Sequence, residues 1–488
     1  MPEAGLAALR AALTETRIEI ERTGAATLER WQPTLRRPSF EPSARNLAHF
    51  LALRGVDRTA LQQRLRRHGL STLGRSEGHV TASLRAIEAT LAGRDPEPEI
   101  HAQFEQAQAR LGANTAALFG PRPAERGTRI LVTLSPELGR DRAQLRELVE
   151  RGMNAVRINC ARDEPDTWRE MAATARAAAR DAGAELRVLM DLAGPKIRTT
   201  ALAPARGRRL VAGDRIRLRR DPHAAPPADV VSCACTLPEV LDAVERGAPA
   251  AIDDGKIWAT VEAVGPAGPE LRVTRTRPGG VKLKADKGLN FPGTALPAPS
   301  LTAEDRRALA TVVEIADLVG YSFVQRAADI DDLLEALAAG PPPARPLGVV
   351  AKIETELAFR NLPEIVVRAA GRLPFGVMVA RGDLGVEVGF SRLSEVQEEI
   401  LWLAEAAQVP VVWATEVLAS VVKHGVAARG EFTDAAMSAR AECVMLNRGA
   451  FVADGVTTLA DVLRRAERHL DKKTPQLARL QAWQTPLS

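Results

Sequence analysis

The sequence predicts an α/β protein: a (β/α)8 (TIM) barrel with an inserted small β-barrel lid domain and a helical N-terminal extension. Three observations lead to this prediction. Apolar runs alternate with amphipathic stretches from residue 128 onward, about ninety residues of short strands and turns interrupt the third unit, and residues 1–127 show helical spacing without a convincing strand. Strands buried in a parallel barrel are near-continuous apolar runs, so eight such units favour a single barrel.

Eight apolar runs supply the barrel strands. Amphipathic stretches separate most of them, as the crossover helices between parallel strands require. We therefore assign the barrel to residues 128–199 and 292–475, the lid to residues 200–291 and a C-terminal tail to residues 476–488. The runs are RILVTL, NAVRIN, RVLMDL, IADLVGY, LGVVAKI, FGVMVA, VPVVWAT and ECVMLN.

Residues 1–127 contain helical patterns joined by loops. The stretch ARNLAHFLALRG has apolar residues at helical spacing, DRTALQQRLRRHG runs from a potential cap at Asp57 to Gly69, and SEGHVTASLRAIEATLAG ends on Gly93. The basic stretch QQRLRRHG leaves open a nucleic-acid module over residues 43–93. Because this stretch lacks interleaved aromatic residues, a packing or dimerisation role is favoured and nucleic acid is not an expected partner.

The composition is that of a globular protein. Of 488 residues, 45% are hydrophobic and 26% are charged, and the net charge of +5 suits phosphorylated metabolites as well as nucleic acid. The four cysteines have neither the number nor the spacing of a disulfide framework or zinc site. The sequence shows no secretion signal and no apolar run long enough to span a membrane, so a cytoplasmic location is expected.

Polar residues stand where the predicted strands end. Because active sites of these barrels lie at the C-terminal ends of the strands, we expect these side chains to converge. Lys352 and Glu354 are two apart on one strand and so share a face. Any one of them could be a solvated rim residue, but together they suit a divalent cation and a phosphorylated anion. The candidates are Arg157, Asn159, Asp191, Ser322, Lys352, Glu354, Arg381, Asp383 and Thr415.

The stretch FGVMVARGDLGVEV carries two glycines just beyond a buried strand. Gly382 and Gly385 allow a ligand to approach the backbone closely. Amides at the start of a short helical turn can bind a carboxylate or a phosphate. This segment is therefore a predicted anion-binding element.

An ordered set of motifs resembles the pyruvate kinase family. From residue 128 to 470 they follow the family's order at comparable spacing. The resemblance implies transfer of the phosphoryl group of phosphoenolpyruvate to ADP, giving pyruvate and ATP, with Mg²⁺ as cofactor and Mn²⁺ as a possible substitute. The motifs are TRILVTLSP, GMNAVRIN, MDLAGPKIRT, AIDDGKIW, KGLNFPG, AKIE, VMVARGDLGVEV, VVWATEVLASVV and ECVML.

The resemblance also implies roles for individual residues. The metal ligands hold Mg²⁺ against the substrate, the cations neutralise the phosphoryl group, and the amides of Gly382 and Asp383 receive the substrate carboxylate. The residues so assigned are Glu354 and Asp383 for the metal; Lys352, Arg157 and Thr415 for catalysis; Gly382, Asp383, Thr415 and Ser322 for the substrate; and Asn159, Arg198 and Lys287 for the nucleotide.

One departure from the family concerns K⁺. Asn159 is followed by Cys160 and Ala161 where a serine is normal, and Lys196 stands where K⁺-dependent members have glutamate. We expect the ammonium of Lys196 to substitute for the monovalent cation, with Asn159 and Asp191 as remnants of its site. K⁺ is therefore not expected to be required.

Other departures leave an alternative function open. Asn447 stands where the family usually has a serine linked to protonation of enolpyruvate, and Glu416 stands where glutamine is usual. The family's C-terminal regulatory domain has no counterpart here, so control by that route is not expected, and the N-terminal region could support a homo-oligomer instead. A catalytically weak homologue that senses phosphoenolpyruvate or a nucleotide is the alternative to an active enzyme.

Overall fold

The computed structural model describes residues 2–203, 209–226, 230–295, 297–472 and 474–475. The predicted C-terminal tail, residues 476–488, lies outside these ranges. A short β-hairpin of β18 and β19, whose bounds are Leu470–Asp471 and Thr474–Pro475, follows the last barrel helix.

Eight parallel strands close into a barrel, which confirms the predicted architecture. Each strand falls within one of the eight predicted apolar runs, and around the barrel their order is β1-β17-β16-β15-β14-β13-β3-β2. Most strand residues are buried because helices cover the outside while side chains fill the interior. The strands are β1 (Arg129–Thr133), β2 (Ala155–Asn159), β3 (Arg187–Asp191), β13 (Leu318–Tyr321), β14 (Gly348–Ile353), β15 (Phe375–Ala380), β16 (Val411–Ala414) and β17 (Cys443–Leu446).

Helices separate successive barrel strands, and α13 begins directly where β15 ends. The barrel helices are α6 (Pro136–Arg140), α7 (Arg142–Glu150), α8 (Pro165–Asp181), α9 (Ala303–Ile315), α10 (Ala327–Ala339), α11 (Glu356–Arg360), α12 (Leu362–Ala370), α13 (Arg381–Val388), α14 (Phe390–Ala406), α15 (Ala419–His424), α16 (Arg429–Met437) and α17 (Val452–Ala466).

The predicted β insertion follows β3. Its main sheet has seven strands in the order β12-β8-β9-β10-β6-β7-β4, while β5 and β11 form a separate pair. An apolar core of its own supports the sheet, with Leu218, Ile252 and Leu271 fully buried. The strands are β4 (Thr199–Ala203), β5 (Arg209–Leu210), β6 (Arg215–Arg219), β7 (Val231–Cys235), β8 (Pro249–Ile252), β9 (Ile257–Gly265), β10 (Gly268–Thr276), β11 (Val281–Lys282) and β12 (Leu289–Asn290).

The N-terminal region is helical, as its spacing predicts. Helix α3 begins one residue later than a cap at Asp57 implies, because Arg58 is the N-cap. Asp57 Oδ1 accepts a hydrogen bond from the amide of Thr59 at 2.8 Å. The stretch RDPEPEI is only partly a connection, because α5 begins inside it at Pro98. The helices are α1 (Pro2–Trp31), α2 (Glu41–Arg54), α3 (Thr59–Arg67), α4 (Val80–Leu91) and α5 (Pro98–Phe119).

The C-terminal end of α5 fills the N-terminal opening of the barrel. Leu118 is fully buried among side chains of the barrel interior, including Leu131 and Val350. Two strand glycines make room for it: a Cβ at Gly348 would lie 2.4 Å from Leu118 Cδ2, and one at Gly376 would lie 2.9 Å from Cδ1. The N-terminal region therefore supplies part of the barrel's own core.

The N-terminal helices also pack on the outside of the barrel. Side chains such as Leu47 share one apolar cluster with Ile400 of α14. Asn46 Nδ2 donates to the carbonyl of Ala406 at 2.8 Å, and Trp31 Nε1 donates to the carboxylate of Glu364 at 2.9 and 3.0 Å. The region is thus docked against the barrel by both apolar and polar contacts.

All four cysteines are free and buried. Burial raises the pKa of the Cys235 thiol to about 11 and that of Cys443 to about 12, so both stay protonated at neutral pH. Among the helices of the described ranges, none is long and apolar enough to cross a membrane.

Candidate active site

A cavity of about 700 Å³ opens at the C-terminal ends of the barrel strands. Barrel strands, α13 and the inserted β domain all contribute to its wall, as the convergence argument predicts. Ser322 and Lys287 are predicted site residues that do not line it. The predicted residues that do are Arg157, Asn159, Asp191, Lys196, Arg198, Lys352, Glu354, Arg381, Gly382, Asp383 and Thr415.

Lys352 is the central buried cation of this cavity. Its Nζ lies 3.1 Å from Glu354 Oε1 and 3.3 Å from Asp191 Oδ2. Burial alone would lower the pKa of Lys352, but the two carboxylates outweigh it and raise the pKa, so the ammonium stays charged. A fixed cation at the barrel mouth can stabilise a transferring phosphoryl group.

Ser322 forms a hydrogen bond that orients Lys352. Its Oγ accepts a hydrogen bond from Lys352 Nζ at 2.7 Å and donates one to the carbonyl of Leu192 at 2.7 Å. The Ser322 side chain is buried, and its hydroxyl proton is donated to the carbonyl of Leu192. The geometry gives Ser322 a role in orienting Lys352, and its predicted contact with substrate stays a prediction.

Arg157 is oriented by Asp191 on the neighbouring strand. Arg157 Nε donates to Asp191 Oδ2 at 2.8 Å, and Arg157 Nη1 lies 3.3 Å from Thr133 Oγ1. Burial would raise the pKa of Asp191, but Arg157 and Lys352 outweigh that effect and hold it below its usual value. Asp191 is therefore an ionised carboxylate that fixes two cations beside each other.

Glu354 and Asp383, the predicted metal ligands, both line this cavity. Burial raises the pKa of Glu354, Lys352 opposes this, and the neighbouring charge of Asp383 raises it further. Two carboxylates that repel each other across one cavity are a suitable pair for a hard divalent cation. Within the ranges described, no three His, Cys, Asp or Glu side chains form a metal-binding group. Mg²⁺ takes one or two carboxylates and completes its shell with water and substrate oxygens.

Lys196 contacts the predicted metal ligand. Its Nζ lies 2.8 Å from both Oδ1 and Oδ2 of Asp383. The sequence places this ammonium with Asn159 and Asp191, but Asp191 is held by Arg157 and Lys352, and Asn159 Oδ1 accepts from the amide of Ala161 at 3.1 Å. The observed partner of Lys196 is thus a carboxylate 187 residues along the chain.

Helix α13 places its first-turn amides at the cavity. Buried β15 ends at Ala380, and the helix begins with Arg381, Gly382 and Asp383. Amides of a first helical turn have no acceptor within the helix, so they can bind an anion. A Cβ at Gly382 would lie only 3.0 Å from Thr415 Cγ2, which explains why glycine suits this position.

Arg381 fixes the end of β16, a role that the sequence did not reveal. Its Nε donates to the carbonyl of Ala414 at 2.7 Å, and its Nη2 donates to that of Thr415 at 2.6 Å. Nη1 and Nη2 also donate to the Asp434 carboxylate, with Nη2 2.8 Å from Oδ2. The guanidinium lies 4.7 Å from the ring centroid of Trp413. These contacts hold Thr415 in the left-handed region, with φ +74°.

The inserted β domain contributes Lys256 to the wall of the cavity. Lys287 lies outside the cavity lining, with its Nζ 3.2 Å from Asp253 Oδ1. Lys256 lines the cavity and lies 3.1 Å from Asp253 Oδ2. Arg198 lines the cavity as predicted, with Nη1 3.2 Å from Asp286 Oδ1. Lys256 belongs to the motif AIDDGKIW, and that motif is the signal by which it could have been found.

Asn447 and Glu416, which differ from the residues usual in the family motifs, both line this cavity. Asn447 follows β17 and Glu416 follows Thr415, and each contributes to the wall. Glu416 is exposed and has a left-handed backbone, with φ +61°. The departures from the family motifs therefore lie at the site itself.

The chain is similar to known proteins over the barrel and the insertion. A family model described as the pyruvate kinase barrel domain matches residues 125–456. A pyruvate kinase from Geobacillus stearothermophilus is 30% identical over 371 residues, 75% of this chain and 61% of that protein. Human pyruvate kinase PKLR is 31% identical over 359 residues, 70% of this chain and 60% of that protein. The chain thus spans about three fifths of the length of these two relatives.

Two further comparisons agree. The pyruvate kinase of Methylorubrum extorquens is 34% identical over 351 residues, which cover 70% of this chain and 69% of that protein. The crystal structure of a pyruvate kinase from Cryptosporidium parvum superposes with a TM-score of 0.64 at 25% identity, covering 73% of each chain. Sequence and structure therefore point to the same family.

Proposed function

The chain belongs to the pyruvate kinase family, and on this premise we propose that it transfers the phosphoryl group of phosphoenolpyruvate to ADP, giving pyruvate and ATP. The observation that carries the proposal is the convergence of Lys352 and Arg157 with the carboxylates Glu354 and Asp383 on one cavity. Phosphoryl transfer needs mainly positioning and charge stabilisation, and these four groups supply both.

The cations act on the phosphoryl group and on the leaving group. An oxygen of the ADP β-phosphate attacks phosphorus while the bond to the enolpyruvate oxygen breaks. Lys352 and Arg157 neutralise charge on the phosphoryl oxygens, and Lys352 also stabilises the enolpyruvate oxyanion. Asp191 holds both cations in place. Mg²⁺ held by Glu354 and Asp383 supplies further positive charge at the phosphate oxygens when it is bound.

The substrate carboxylate binds at α13. The amides of Gly382 and Asp383 lie in the first turn, where the helix dipole also favours an anion. Thr415 lies beside Gly382 and faces the same cavity. In this proposal the methylene carbon of the substrate lies near Thr415, where enolpyruvate is protonated.

The proton reaches enolpyruvate from water. Asn447 has no side-chain proton acidic enough to donate, and Thr415 can orient a water molecule beside the carbon. This route differs from one that uses a serine at the eighth strand.

Nucleotide and cations complete the proposed site. Arg198 and Lys256, both next to or within the β insertion, contact the nucleotide phosphates, with Asn159 on the barrel side. Closure of the insertion over the cavity excludes water and limits hydrolysis. Mg²⁺ is the proposed cofactor, Mn²⁺ can replace it, and K⁺ is not required because Lys196 supplies a fixed charge. We further propose a cytoplasmic protein, with a homo-oligomer as its assembly and no nucleic-acid or membrane partner.

A sensor remains the second candidate, and Asn447 in the cavity wall favours it. A protein that binds phosphoenolpyruvate through α13 and Arg157 but protonates enolpyruvate slowly would report on substrate level. The intact cation and carboxylate set favours the enzyme.

The test is pyruvate formation from phosphoenolpyruvate and ADP with Mg²⁺, with and without K⁺. Lys352→Met should lower kcat by about a thousandfold, as loss of one preorganised charge does in other sites. Lys423→Met, at an exposed position of α15, is the matched control and should change little. Strong activation by K⁺ would reject the Lys196 hypothesis. A folded protein that binds phosphoenolpyruvate without turnover would reject the enzyme in favour of the sensor.

A further inference from the structure

A second polar cavity lies within the N-terminal helices. Its volume is about 620 Å³, which is in the range of small-molecule sites, and α1, α2, α4 and α5 all contribute to its wall. Every lining residue precedes residue 125, where the match to the family barrel domain begins. The catalytic motifs therefore leave this cavity without a function. The side chains used below are Glu21, Arg45, His49, Arg85, Gln103 and Arg110.

The charges of this cavity leave one cation uncompensated. Glu21 is paired with Arg85 at 2.9 Å, and Glu41 is paired with Arg45 at 2.8 Å. Arg110 makes no hydrogen bond or ion pair to any residue that the structure describes, and its Nε is buried without a partner. Partial burial lowers the pKa of Arg110, and no neighbouring carboxylate counters this effect. Arg110 is half-buried, and its unpaired positive charge in a cavity wall favours an anion at this position.

The neighbouring groups define the chemistry of that anion. The guanidinium fork of Arg110 matches phosphate oxygens, and Gln103 of the same helix adds amide donors. Burial lowers the pKa of His49, so this imidazole is neutral at pH 7 and can donate from one ring nitrogen. The imidazole lies against α1 at Gly24, where a Cβ would come within 2.3 Å of it. We propose that this cavity binds a small phosphate-bearing metabolite, with Arg110 as its central contact.

A single helix connects this cavity to the catalytic one. Asn46, in the cavity wall, donates to the carbonyl of Ala406 at the end of α14. Gln408 Nε2 donates to the carbonyl of Gly78, also in the wall, at 2.9 Å. At the other end of α14, Phe390 lines the catalytic cavity. A helix of 17 residues spans about 25 Å, so an occupant of the first cavity acts on the second through one rigid element.

This link gives the metabolite a regulatory role, which rests on the proposed function. The metabolite shifts the position of α14 and hence of α13, whose amides hold the substrate carboxylate. The affected quantity is the affinity for phosphoenolpyruvate rather than the chemical step.

Binding is tested first, without reference to turnover. Inorganic pyrophosphate is titrated by calorimetry into the full chain in EDTA, so that metal-dependent binding at the catalytic cavity is suppressed. Arg110→Gln should weaken binding at least tenfold. Arg66→Gln, an equal change of charge at an exposed position of α3, should leave binding unchanged, as should Lys352→Met in the catalytic cavity. Circular dichroism establishes that each variant is folded. If Arg110→Gln does not fold, Arg110→Lys, which keeps the charge and loses the fork, should bind several-fold more weakly.

Three results would overturn the site: no binding of pyrophosphate to the wild-type chain, equal binding to Arg110→Gln, or binding abolished by Lys352→Met. Coupling is then measured as the KM for phosphoenolpyruvate with and without inorganic phosphate. We expect phosphate to change KM several-fold in the wild type and not in Arg110→Gln. An unchanged wild-type KM would overturn the regulatory role. A chain without any turnover would reject the proposed function while the calorimetric result still decides the site.

Discussion

Replacing Arg381 by lysine tests whether this residue positions Thr415. The arginine makes two contacts to Asp434 and donates to the carbonyls of Ala414 and Thr415. A lysine keeps the charge and can keep one contact to Asp434, but its single ammonium cannot reach both carbonyls as the planar fork does.

The expected cost follows from the two lost carbonyl contacts. Hydrogen bonds to charged groups contribute about 1.5 kcal/mol or more each, which gives a loss of about 3 kcal/mol. Relief of the left-handed backbone at Thr415 offsets about 1 kcal/mol of this. We therefore expect the free energy of unfolding to fall by about 2 kcal/mol. We expect kcat/KM to fall about a hundredfold, because small displacements at a reacting centre have effects of that size.

Urea denaturation measures the first quantity, and the rate of pyruvate formation measures the second. Arg465→Lys is the matched control, since Arg465 is 67% exposed and pairs with Asp461 on the same helix. That change should alter stability by less than about 0.5 kcal/mol. If Arg381→Lys destabilises the protein as expected but leaves kcat/KM unchanged, Thr415 does not depend on Arg381 for its function. A loss of stability as small as that of the control would refute the energetic reasoning.

Three other predictions concern pH, metal binding and the barrel core. Burial and the charge of Asp383 raise the pKa of Glu387 from 4.5 to about 7. Folding therefore favours its protonated form, and its contribution to stability declines as pH rises from 4.5 past 7. At about 1.4 kcal/mol per pH unit the decline has a ceiling of about 3 kcal/mol. Glu387→Gln should abolish this pH-dependent decline in the free energy of unfolding, measured by urea denaturation in EDTA. Parallel pH profiles of the wild type and the variant would contradict the prediction. Lys196→Met should tighten Mg²⁺ binding in calorimetry by about tenfold, because the ion no longer competes with an ammonium for Asp383; an unchanged affinity argues against that competition. Leu118→Ala should lower the free energy of unfolding by about 3–5 kcal/mol through the cavity it leaves, and a loss below about 1 kcal/mol would show that Leu118 does not fill the barrel.

The barrel could be predicted because its strands are locally encoded. Each is an apolar run buried on both faces, and the residue after each run must lie at the same mouth. Lys352 and Glu354 were placed correctly for this reason. The same reasoning also places Arg157 and Asp191 together, because their strands are adjacent.

What the sequence could not predict depends on contacts between distant segments. The contact of Lys196 with Asp383 depends on how the chain turns after β3. In the β insertion, the sequence does not show which of Lys256 and Lys287 faces the barrel, because that depends on how the sheet is oriented over it. Arg381 follows its strand like any mouth residue, and only the start of α13 turns its side chain toward β16.

The position of Leu118 bears on how the protein folds during its synthesis. The chain emerges from the ribosome from its N-terminus, so α5 is available before any barrel strand. The last strand, β17, joins β1 across more than three hundred residues, which makes closure a late, long-range event. Because Leu118 is synthesised before the strands, its side chain at the N-terminal opening gives β14 and β15 an apolar surface on which to assemble. A chain lacking residues 98–119 would leave that opening exposed, and such apolar openings promote aggregation. The N-terminal helices are thus expected to matter for the yield of folded protein as well as for its stability.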